Sequence, residues 1–578
     1  MAHPLPDPRP LVRPDSRTHA GLGGVNSGYG RVAAAPEAIG ARATAIEERL
    51  VLAAVSLGML LRVWQWVGQS SLYWGELALA RNIDARGLLQ LLTERTAFGQ
   101  GSALGYLAAQ KTIVSIFGSN ELTHRLFPFA ASVLALWLFT RLAQLYLSGG
   151  ARVFAVASFA LGFPFVLITA PFKPLCTVDT AATLVLFLLA HDLLTQPATR
   201  TRVLRAGALG FAVMWFAEPT SVLAVGLIVV MSAIAVRAQN WRQLGSWAPA
   251  FAAWMAGAVA APWISYRMTD APRRAILRDL YDGGALPPWP QVWTQANWLW
   301  DRAYDALGPD MFHYRMRSVY IVLIIIGVWP LLRRNLSGGV LLLAPIAGAL
   351  VASGFGLYIF QGFYLAFLFP YIFVLIALGI DVLRRQLDRI ARPIGYTWMA
   401  GWTMLPVVAI AGYLPPYRVE EIKPVLQYVR DQWREGDAVY GFFAAGHGLA
   451  YYGPQLGFSS TDIVVGACHH GEAREYFKEL DTFRGRARVW AVFAHDLSRY
   501  QARAEVLNYL DQIGTVRDSV ISVSPALPRF VVGAQAYLYD LSDSTRLAAM
   551  NAQTMPLLRA IKPGGGVRCS GLESAERP

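Results

Sequence analysis

Residues 219–242 read PTSVLAVGLIVVMSAIAVRAQNWR, and this stretch shows the pattern that decides the fold. The segment 219–236 carries no charged side chain, and Arg237 and Arg242 follow it directly. A run of about 20 apolar residues is long enough to cross a bilayer as a helix. Arginines beside such a run favour the cytoplasmic side of the membrane. The stretch therefore predicts a transmembrane helix whose C-terminal end lies inside the cell.

The same pattern recurs along a chain of 578 residues, of which 55% are apolar and only 15% are charged. This composition predicts a polytopic α-helical membrane protein with about 11 transmembrane helices. The expected spans fall near 46–67, 124–147, 153–171, 177–195, 203–217, 219–236, 245–266, 317–332, 338–354, 363–382 and 394–413. The formal net charge of +13 comes from arginines in short connections rather than from one basic stripe. Nucleic acid is therefore not an expected partner.

One further apolar segment, residues 103–117, decides which loops share a side of the membrane. It is short for a span of ~20 residues, and it carries Gln110 and Lys111. If it does not cross, the arginine groups of the later connections lie in the cytoplasm. If it crosses, they all move outside, against the positive-inside rule. We therefore predict a helix that lies beside the membrane.

This topology predicts a cytoplasmic N-terminus and a C-terminal domain on the outer side of the membrane. The expected parts are a disordered cytoplasmic tail at 1–45, a transmembrane domain at 46–413 with outer loops at 68–122 and 267–316, an outer α/β domain at 414–560, and a disordered tail at 561–578. Within the α/β domain, the apolar pattern predicts a helix at 418–433 and strands at 437–443, 488–493 and 536–541.

The loop 68–122 contains an acidic residue that two interpretations fit. Glu76 follows Tyr73 and Trp74 just after the first span. A carboxylate beside aromatic rings at a membrane surface is partly desolvated, which suits it to general base catalysis. The same glutamate also fits a structural role in the first turn of an amphipathic helix. The residues alone leave both roles open.

The order of motifs in this chain resembles the GT-C superfamily of membrane glycosyltransferases, in particular its bacterial protein-mannosyltransferase-like branch (glycosyltransferase family 39-like). Members of that branch have an apolar-Trp-x-Asp-Glu motif in the first outer loop, followed by a Gln and Pro stretch. A Phe-Gly-x-x-Glu-x-x-x-Arg segment and a Lys-Pro-Tyr-x-x-Asp element come later. The counterparts here are residues 72–76, Gln100, residues 117–125 and residues 173–179. The resemblance extends over about residues 46–541.

The resemblance implies a protein of the bacterial inner membrane whose outer loops and C-terminal α/β domain are periplasmic. It also implies transfer of a sugar from a polyprenyl-phosphate carrier to an acceptor on the periplasmic face. Glu76 would take the proton of the acceptor, and fixed cations would stabilise the departing phosphate. The residues implied at the substrate are Lys173, Asp179, Arg125, Gln100 and Tyr73. The implied partners are membrane lipid, the polyprenyl-phosphate sugar donor, and a glycan, lipid or protein acceptor. No cofactor and no metal site are predicted, and a divalent cation is left open.

Two positions depart from the family pattern. Gly75 stands where the family has the aspartate before its glutamate, and Phe363 stands where a late loop commonly has arginine. Arg125 and Lys173 also fit structural roles, anchoring a helix and reaching for the membrane surface. Two functions therefore stay open. One is a lipid-linked-sugar glycosyltransferase, and the other is a catalytically degenerate relative that serves as a scaffold or subunit of a membrane complex.

Overall fold

The structure is a computed structural model that describes residues 41–68, 71–98, 100–167, 176–269, 271, 274, 297–307, 316–412, 414–418, 420–469, 473–495, 502–522 and 533–546. Lys173 lies outside the described residues, as do most of the predicted loop 267–316 and nearly all of the two predicted tails. Phe363 belongs to a described 3₁₀ helix, Gly362–Leu368, but its side chain is not described.

Helices make up the described chain as far as residue 412. They are α1 (Ala41–Gly68), α2 (Trp74–Ala85), α3 (Leu88–Thr93), α4 (Leu104–Phe117), α5 (Glu121–Tyr146), α6 (Gly149–Leu161), α7 (Phe163–Leu167), α8 (Thr177–Thr195), α9 (Arg200–Val213), α10 (Pro219–Arg237), α11 (Trp241–Met268), α12 (Asn297–Ala306), α13 (Arg317–Arg334), α14 (Leu336–Gly354), α15 (Phe369–Ile390) and α16 (Arg392–Ala411).

Eight helical segments in the described part of the chain are long and apolar enough to cross a membrane. They are α1, α5, α8, α10, α11, α14, the continuous segment Tyr364–Ile390, and α16. The predicted class of polytopic helical membrane protein is confirmed, whereas the count of eleven spans is not. The segment 103–117 forms the 14-residue helix α4, which is too short to span ~30 Å of hydrocarbon at 1.5 Å per residue.

A buried arginine in the first helix stabilises the end of α6, a helix of only 13 residues. Arg62 of α1 is 1% exposed. Its guanidinium donates to the carbonyl oxygens of Ala160 at 2.6 Å and Phe159 at 3.0 Å. The last carbonyls of a helix have no partner within it, and a basic side chain can satisfy them. Arg62 therefore allows α6 to end while it is enclosed by neighbouring helices.

The C-terminal region forms the α/β unit that the sequence predicts. Its strands are β1 (Ala438–Gly441), β2 (Ile463–Val465), β3 (Val489–Phe493), β4 (Thr515–Ile521) and β5 (Gln535–Asp540), in the sheet order β2-β1-β3-β5-β4. β1 pairs in parallel with β2 and β3, while β5 is antiparallel to β3 and β4. The accompanying helices are α17 (Ile422–Asp431), α18 (Gly446–Gln455), α19 (Ala473–Asp481) and α20 (Ala502–Ile513).

The α/β unit packs against the segment that follows α1. Apolar side chains of α17 and α18, among them Ile422 and Leu449, belong to the same continuous core as the membrane helices. α18 packs on α2, and the backbone N–H of Leu72 donates to the Tyr452 hydroxyl at 2.8 Å. The loop 68–122, called the first outer loop below, is thus held between the helical bundle and the α/β unit.

Candidate functional site

An enclosed ion pair joins the first outer loop to α5. Arg125 donates from Nε to Oε1 of Glu76 at 3.1 Å and from Nη2 to Oε2 at 2.6 Å. Both side chains are 0% exposed. The backbone N–H of Tyr73 also donates to Oε2, at 2.9 Å. Two residues that the sequence singled out are therefore in direct contact, and both oxygens of Glu76 are engaged.

Ser71 connects this ion pair to the lead-in of the α/β unit. Its carbonyl oxygen accepts a hydrogen bond of 2.6 Å from Arg125 Nη2. Its hydroxyl donates to Glu421 Oε2 at 3.3 Å and accepts from the Lys423 backbone N–H at 3.1 Å. Burial raises the pKa of Glu421, which favours a proton on this carboxyl group.

Tyr73 lies where the first outer loop meets the start of α8. Burial and the nearby Glu76 carboxylate raise the pKa of the Tyr73 phenol well above its usual value, with Cys176 and Glu420 contributing less. Cys176 directly precedes α8, and the predicted site residue Asp179 is buried in the first turn of that helix. The start of α8 therefore belongs to the same polar neighbourhood as Glu76.

Gln100 is held by its own loop. Its side-chain Nε2 donates to the carbonyl oxygen of Phe98 at 3.3 Å, and its carbonyl accepts from the Thr96 hydroxyl at 2.5 Å. The residue is 4% exposed. In the described structure Gln100 shapes the turn before α4, and a contact with substrate stays a prediction.

A second pair of titratable groups, Glu420 and His495, contacts Trp74. Glu420 accepts a hydrogen bond from the Trp74 backbone N–H at 2.9 Å through Oε2. Its Oε1 is hydrogen-bonded to Nδ1 of His495. The imidazole of His495 stacks on the Trp74 ring, with ring centroids 5.0 Å apart and an interplanar angle of 11°. A carboxylate and a histidine of the α/β unit are thus placed beside Gly75, the position where the family motif has aspartate.

A basic and aromatic cluster extends this second group along α2. Arg81 Nη1 lies 3.1 Å from Nδ1 of His447, and its guanidinium is 4.1 Å from the centre of the Phe98 ring. Burial, followed by the charges of Arg81 and His495, lowers the pKa of His447 to about 3. His447 is therefore neutral at pH 7. Among the described residues, no carboxylate lies within ion-pair distance of Arg81.

Several buried polar atoms in the loop 68–122 and at the start of α8 have no hydrogen-bond partner among the described residues. They are Trp74 Nε1, Ser102 Oγ and Thr177 Oγ1. Such atoms are uncommon in folded proteins and call for an explanation such as a ligand. In the part of the chain that the structure describes, no three His, Cys, Asp or Glu side chains are grouped closely enough to hold a metal ion.

Sequence reasoning missed the histidines, Glu420 and Arg81, because they come from distant parts of the chain. One signal was present, because His495 lies two residues beyond β3, a strand that the apolar pattern predicts. Ligands of parallel sheets often bind at the carboxyl ends of the strands. A polar residue just past such a strand was therefore a candidate in principle.

Comparisons with known proteins give structural neighbours alone, because no protein-family model and no curated protein matches the chain. The chain is similar to ArnT from Cupriavidus metallidurans, solved in the apo state and bound to undecaprenyl phosphate, with 12% identity and a TM-score of 0.46 in each case. These matches cover 87% of this chain and 99% of ArnT. It is also similar to an Archaeoglobus fulgidus oligosaccharyltransferase complex with Zn and sulfate, with 10% identity, a TM-score of 0.46, and coverage of 85% and 73%.

At this identity and TM-score, nothing about the activity or the ligands of this chain follows from the likeness.

Proposed function

We propose that this protein transfers a sugar from a polyprenyl-phosphate carrier to an acceptor on the periplasmic face of the inner membrane. The observation that carries the proposal is the set of buried, unpartnered polar atoms around the first outer loop, at Trp74, Ser102 and Thr177. Sugar hydroxyls supply both donors and acceptors for such atoms.

Arg81 is the described cation best suited to the phosphate of this donor. It is held by a neutral imidazole and an aromatic ring, so its charge is not offset by a carboxylate among the described residues. A charge-assisted hydrogen bond between arginine and phosphate is among the stronger polar contacts in proteins. Lys173, which the resemblance places at the phosphate, remains part of the proposal although it lies outside the described residues.

The Glu76–Arg125 pair has a supporting role in this proposal. Because Arg125 and the Tyr73 N–H already engage both oxygens of Glu76, the pair holds the loop and α5 in register. Asp179 and Tyr73 would line the sugar side of the same neighbourhood. The identity of the group that takes the acceptor's proton then becomes a separate question.

Binding of undecaprenyl phosphate to the purified protein in lipid nanodiscs tests the proposal. Arg81→Gln should weaken binding about 10-fold to 100-fold, because a hydrogen bond to a charged group contributes ~1.5–3 kcal/mol. Arg86→Gln is the matched control, since Arg86 follows the same helix and its guanidinium donates to the Arg95 carbonyl at an exposed position. If the wild-type protein binds no undecaprenyl phosphate, or if both variants bind equally well, the proposal fails.

The periplasmic orientation has its own test. We expect a cysteine-free protein with a single tagged cysteine beside position 175 to react with a membrane-impermeant reagent from the periplasm. Reaction from the cytoplasm alone would place this loop on the wrong side for the proposed reaction.

One observation favours the second candidate function, a scaffold without activity. The glutamate of the family motif is sealed in an ion pair at 0% exposure, while the neighbouring motif aspartate is replaced by Gly75. A protein kept for assembly would retain the pair that stabilises the loop and lose the chemistry. Isolation from native membranes in mild detergent distinguishes the two, because a scaffold should copurify with a fixed partner at constant ratio and turn over no lipid-linked sugar.

A further inference from the structure

We infer that His495 and Glu420 form the general base of the transfer step, at the place where Gly75 has replaced the aspartate of the family motif. This inference rests on the proposed function. It assigns proton removal to the α/β unit rather than to the first outer loop.

Glu420 fixes which nitrogen of the imidazole can act as a base. A carboxylate accepts hydrogen bonds and donates none, so Nδ1 of His495 carries the hydrogen that points at Glu420. In the neutral ring, Nε2 is then the proton acceptor. The described residues provide no hydrogen-bond partner for Nε2, and 23% of the His495 side chain is exposed. Nε2 can therefore meet the hydroxyl of an incoming acceptor.

Trp74 fixes the position of the dyad beside the first outer loop. Its backbone N–H holds the second oxygen of Glu420 at 2.9 Å, and its ring stacks on His495. The side chain of Glu420 is 2% exposed, so its carboxylate contacts the imidazole and does not contact the substrate. This is the arrangement in which a buried acid orients a histidine and stabilises its protonated form.

The backbone of His495 supports a functional rather than a packing role. Its φ of 54° lies in the left-handed region, where residues other than glycine are uncommon. Strain of this kind is concentrated at functional sites. The conformation turns the chain directly after β3 and places the imidazole over Trp74.

Two further groups beside the dyad fit an anionic ligand that is rich in hydroxyls. Trp74 Nε1 is a buried donor with no partner in the described structure. Arg81 contacts His447, and the His447 ring lies 5.3 Å from the Trp74 ring between centroids, so a positive charge lies near Trp74. His447 does not compete as a base, since its neutral Nδ1 faces the Arg81 guanidinium. The two histidines at Trp74 therefore have different roles.

The proposed step balances in atoms and charge. The acceptor oxygen forms a bond to C1 of the sugar as the bond from C1 to the phosphate oxygen breaks. The electron pair of that bond leaves with the polyprenyl phosphate, and the acceptor's proton passes to Nε2 of His495. The carboxylate of Glu420 stabilises the resulting imidazolium until the proton is released to water.

The test uses the full-length protein in nanodiscs with a panel of radiolabelled polyprenyl-phosphate hexoses and pentoses, and with bacterial membrane extract as the source of acceptor. Consumption of donor and binding of undecaprenyl phosphate are both measured.

His495→Gly removes the imidazole and relieves the positive φ, so loss of fold is not expected. We expect donor consumption to fall 10²-fold to 10⁴-fold with binding unchanged, and added imidazole to restore part of it. Glu420→Gln should lower it less, and imidazole should not restore it.

His469→Gln is the matched control, because Nε2 of His469 pairs with Glu479 at 2.8 Å in a similar way but away from Trp74. This variant should keep wild-type turnover. Unchanged turnover in His495→Gly, with an active wild type, would overturn the dyad and leave the proposed function standing. A wild type that binds undecaprenyl phosphate but consumes no donor would overturn the dyad together with the transfer step of the proposed function, and would leave binding of the lipid alone. A wild type that neither binds nor consumes would overturn the proposed function and the dyad together.

Discussion

Glu76 and Glu420 each pair with a basic side chain and each accept a hydrogen bond from a neighbouring backbone N–H, that of Tyr73 and that of Trp74, yet their surroundings differ. Glu76 and Arg125 are both fully buried, and the guanidinium occupies both oxygens of the carboxylate. Glu420 is buried, but its partner His495 is partly exposed. A pair of two enclosed charges serves the fold, because separating it leaves a bare charge inside the protein. A pair with one exposed ring nitrogen can exchange a proton with a ligand.

The largest effect is expected from breaking the enclosed pair. Glu76→Gln leaves the Arg125 charge buried without its partner, and such changes cost about 3–5 kcal/mol in free energy of unfolding. Glu420→Gln should cost less, because the amide oxygen of glutamine can still accept the hydrogen bond from Nδ1 of the neutral His495 and no bare charge is left inside the protein. Thermal unfolding of both variants in the same detergent measures the difference. Equal losses would show that the two pairs do not differ in the way their burial indicates.

Replacing both members of the enclosed pair provides the control. The double variant Glu76→Gln with Arg125→Met removes the uncompensated charge, so it should recover part of the stability that the single variant loses. No recovery would assign the loss to packing rather than to charge.

The next largest effect is a pH dependence of stability that arises from His447 in the α/β unit. The pKa of His447 is about 3 in the folded protein against an ordinary value of 6.5. Between these values the unfolded chain binds a proton that the folded chain does not, so stability falls as pH falls below about 6.5. From pH 7.5 to pH 5.0 this histidine should account for roughly 2 kcal/mol of lost stability.

His447→Gln keeps an acceptor for Arg81 and removes the titration, so its unfolding temperature should vary less over this pH range. Arg81 and His495 are the charged and titratable groups that act on His447, and both remain in the variant. Identical pH profiles for wild type and variant would contradict the assigned cause.

The smallest effect is expected from an ion pair that bridges the two regions near the surface. Lys423 Nζ lies 2.6 Å from Glu121 Oε1, and the two side chains are 34% and 16% exposed. Pairs of this kind contribute ~0–1 kcal/mol. A double-mutant cycle with Lys423→Gln and Glu121→Gln should therefore give a coupling energy below about 1 kcal/mol. A coupling energy as large as that of Glu76 with Arg125 would remove the distinction between enclosed and exposed pairs.

Much of the fold could be predicted from the sequence, because long apolar runs and period-two strands are local patterns. The strands at 437–443, 488–493 and 536–541 lie within one or two residues of β1, β3 and β5. β2 was missed because it has only three residues, and β4 because polar and charged side chains interrupt its apolar pattern. The count of eleven spans is not confirmed, because an apolar run such as that of the 13-residue helix α6 has the composition of a span without its length.

The site was only partly predictable from the sequence. The motif resemblance singled out Glu76 and Arg125, which the structure joins, but nothing in the spacing showed that they bind each other. Glu420 and His495 are separated by 75 residues along the chain. Their meeting depends on the parallel placement of β3 and on the packing of the α/β unit against α2, which are tertiary features with no local sequence signal.

The arginine of the first helix that binds the carbonyl oxygens of Phe159 and Ala160 has a consequence for biogenesis. Before α1 and α6 have met, the lipid bilayer would have to accept either a lone guanidinium or a set of bare carbonyl groups. The two segments are therefore expected to enter the membrane as a pair, with the earlier one retained near the insertion machinery until the later one emerges from the ribosome. A nascent chain released after α5 would still expose its arginine to hydrocarbon, which makes it a natural substrate for quality-control proteolysis.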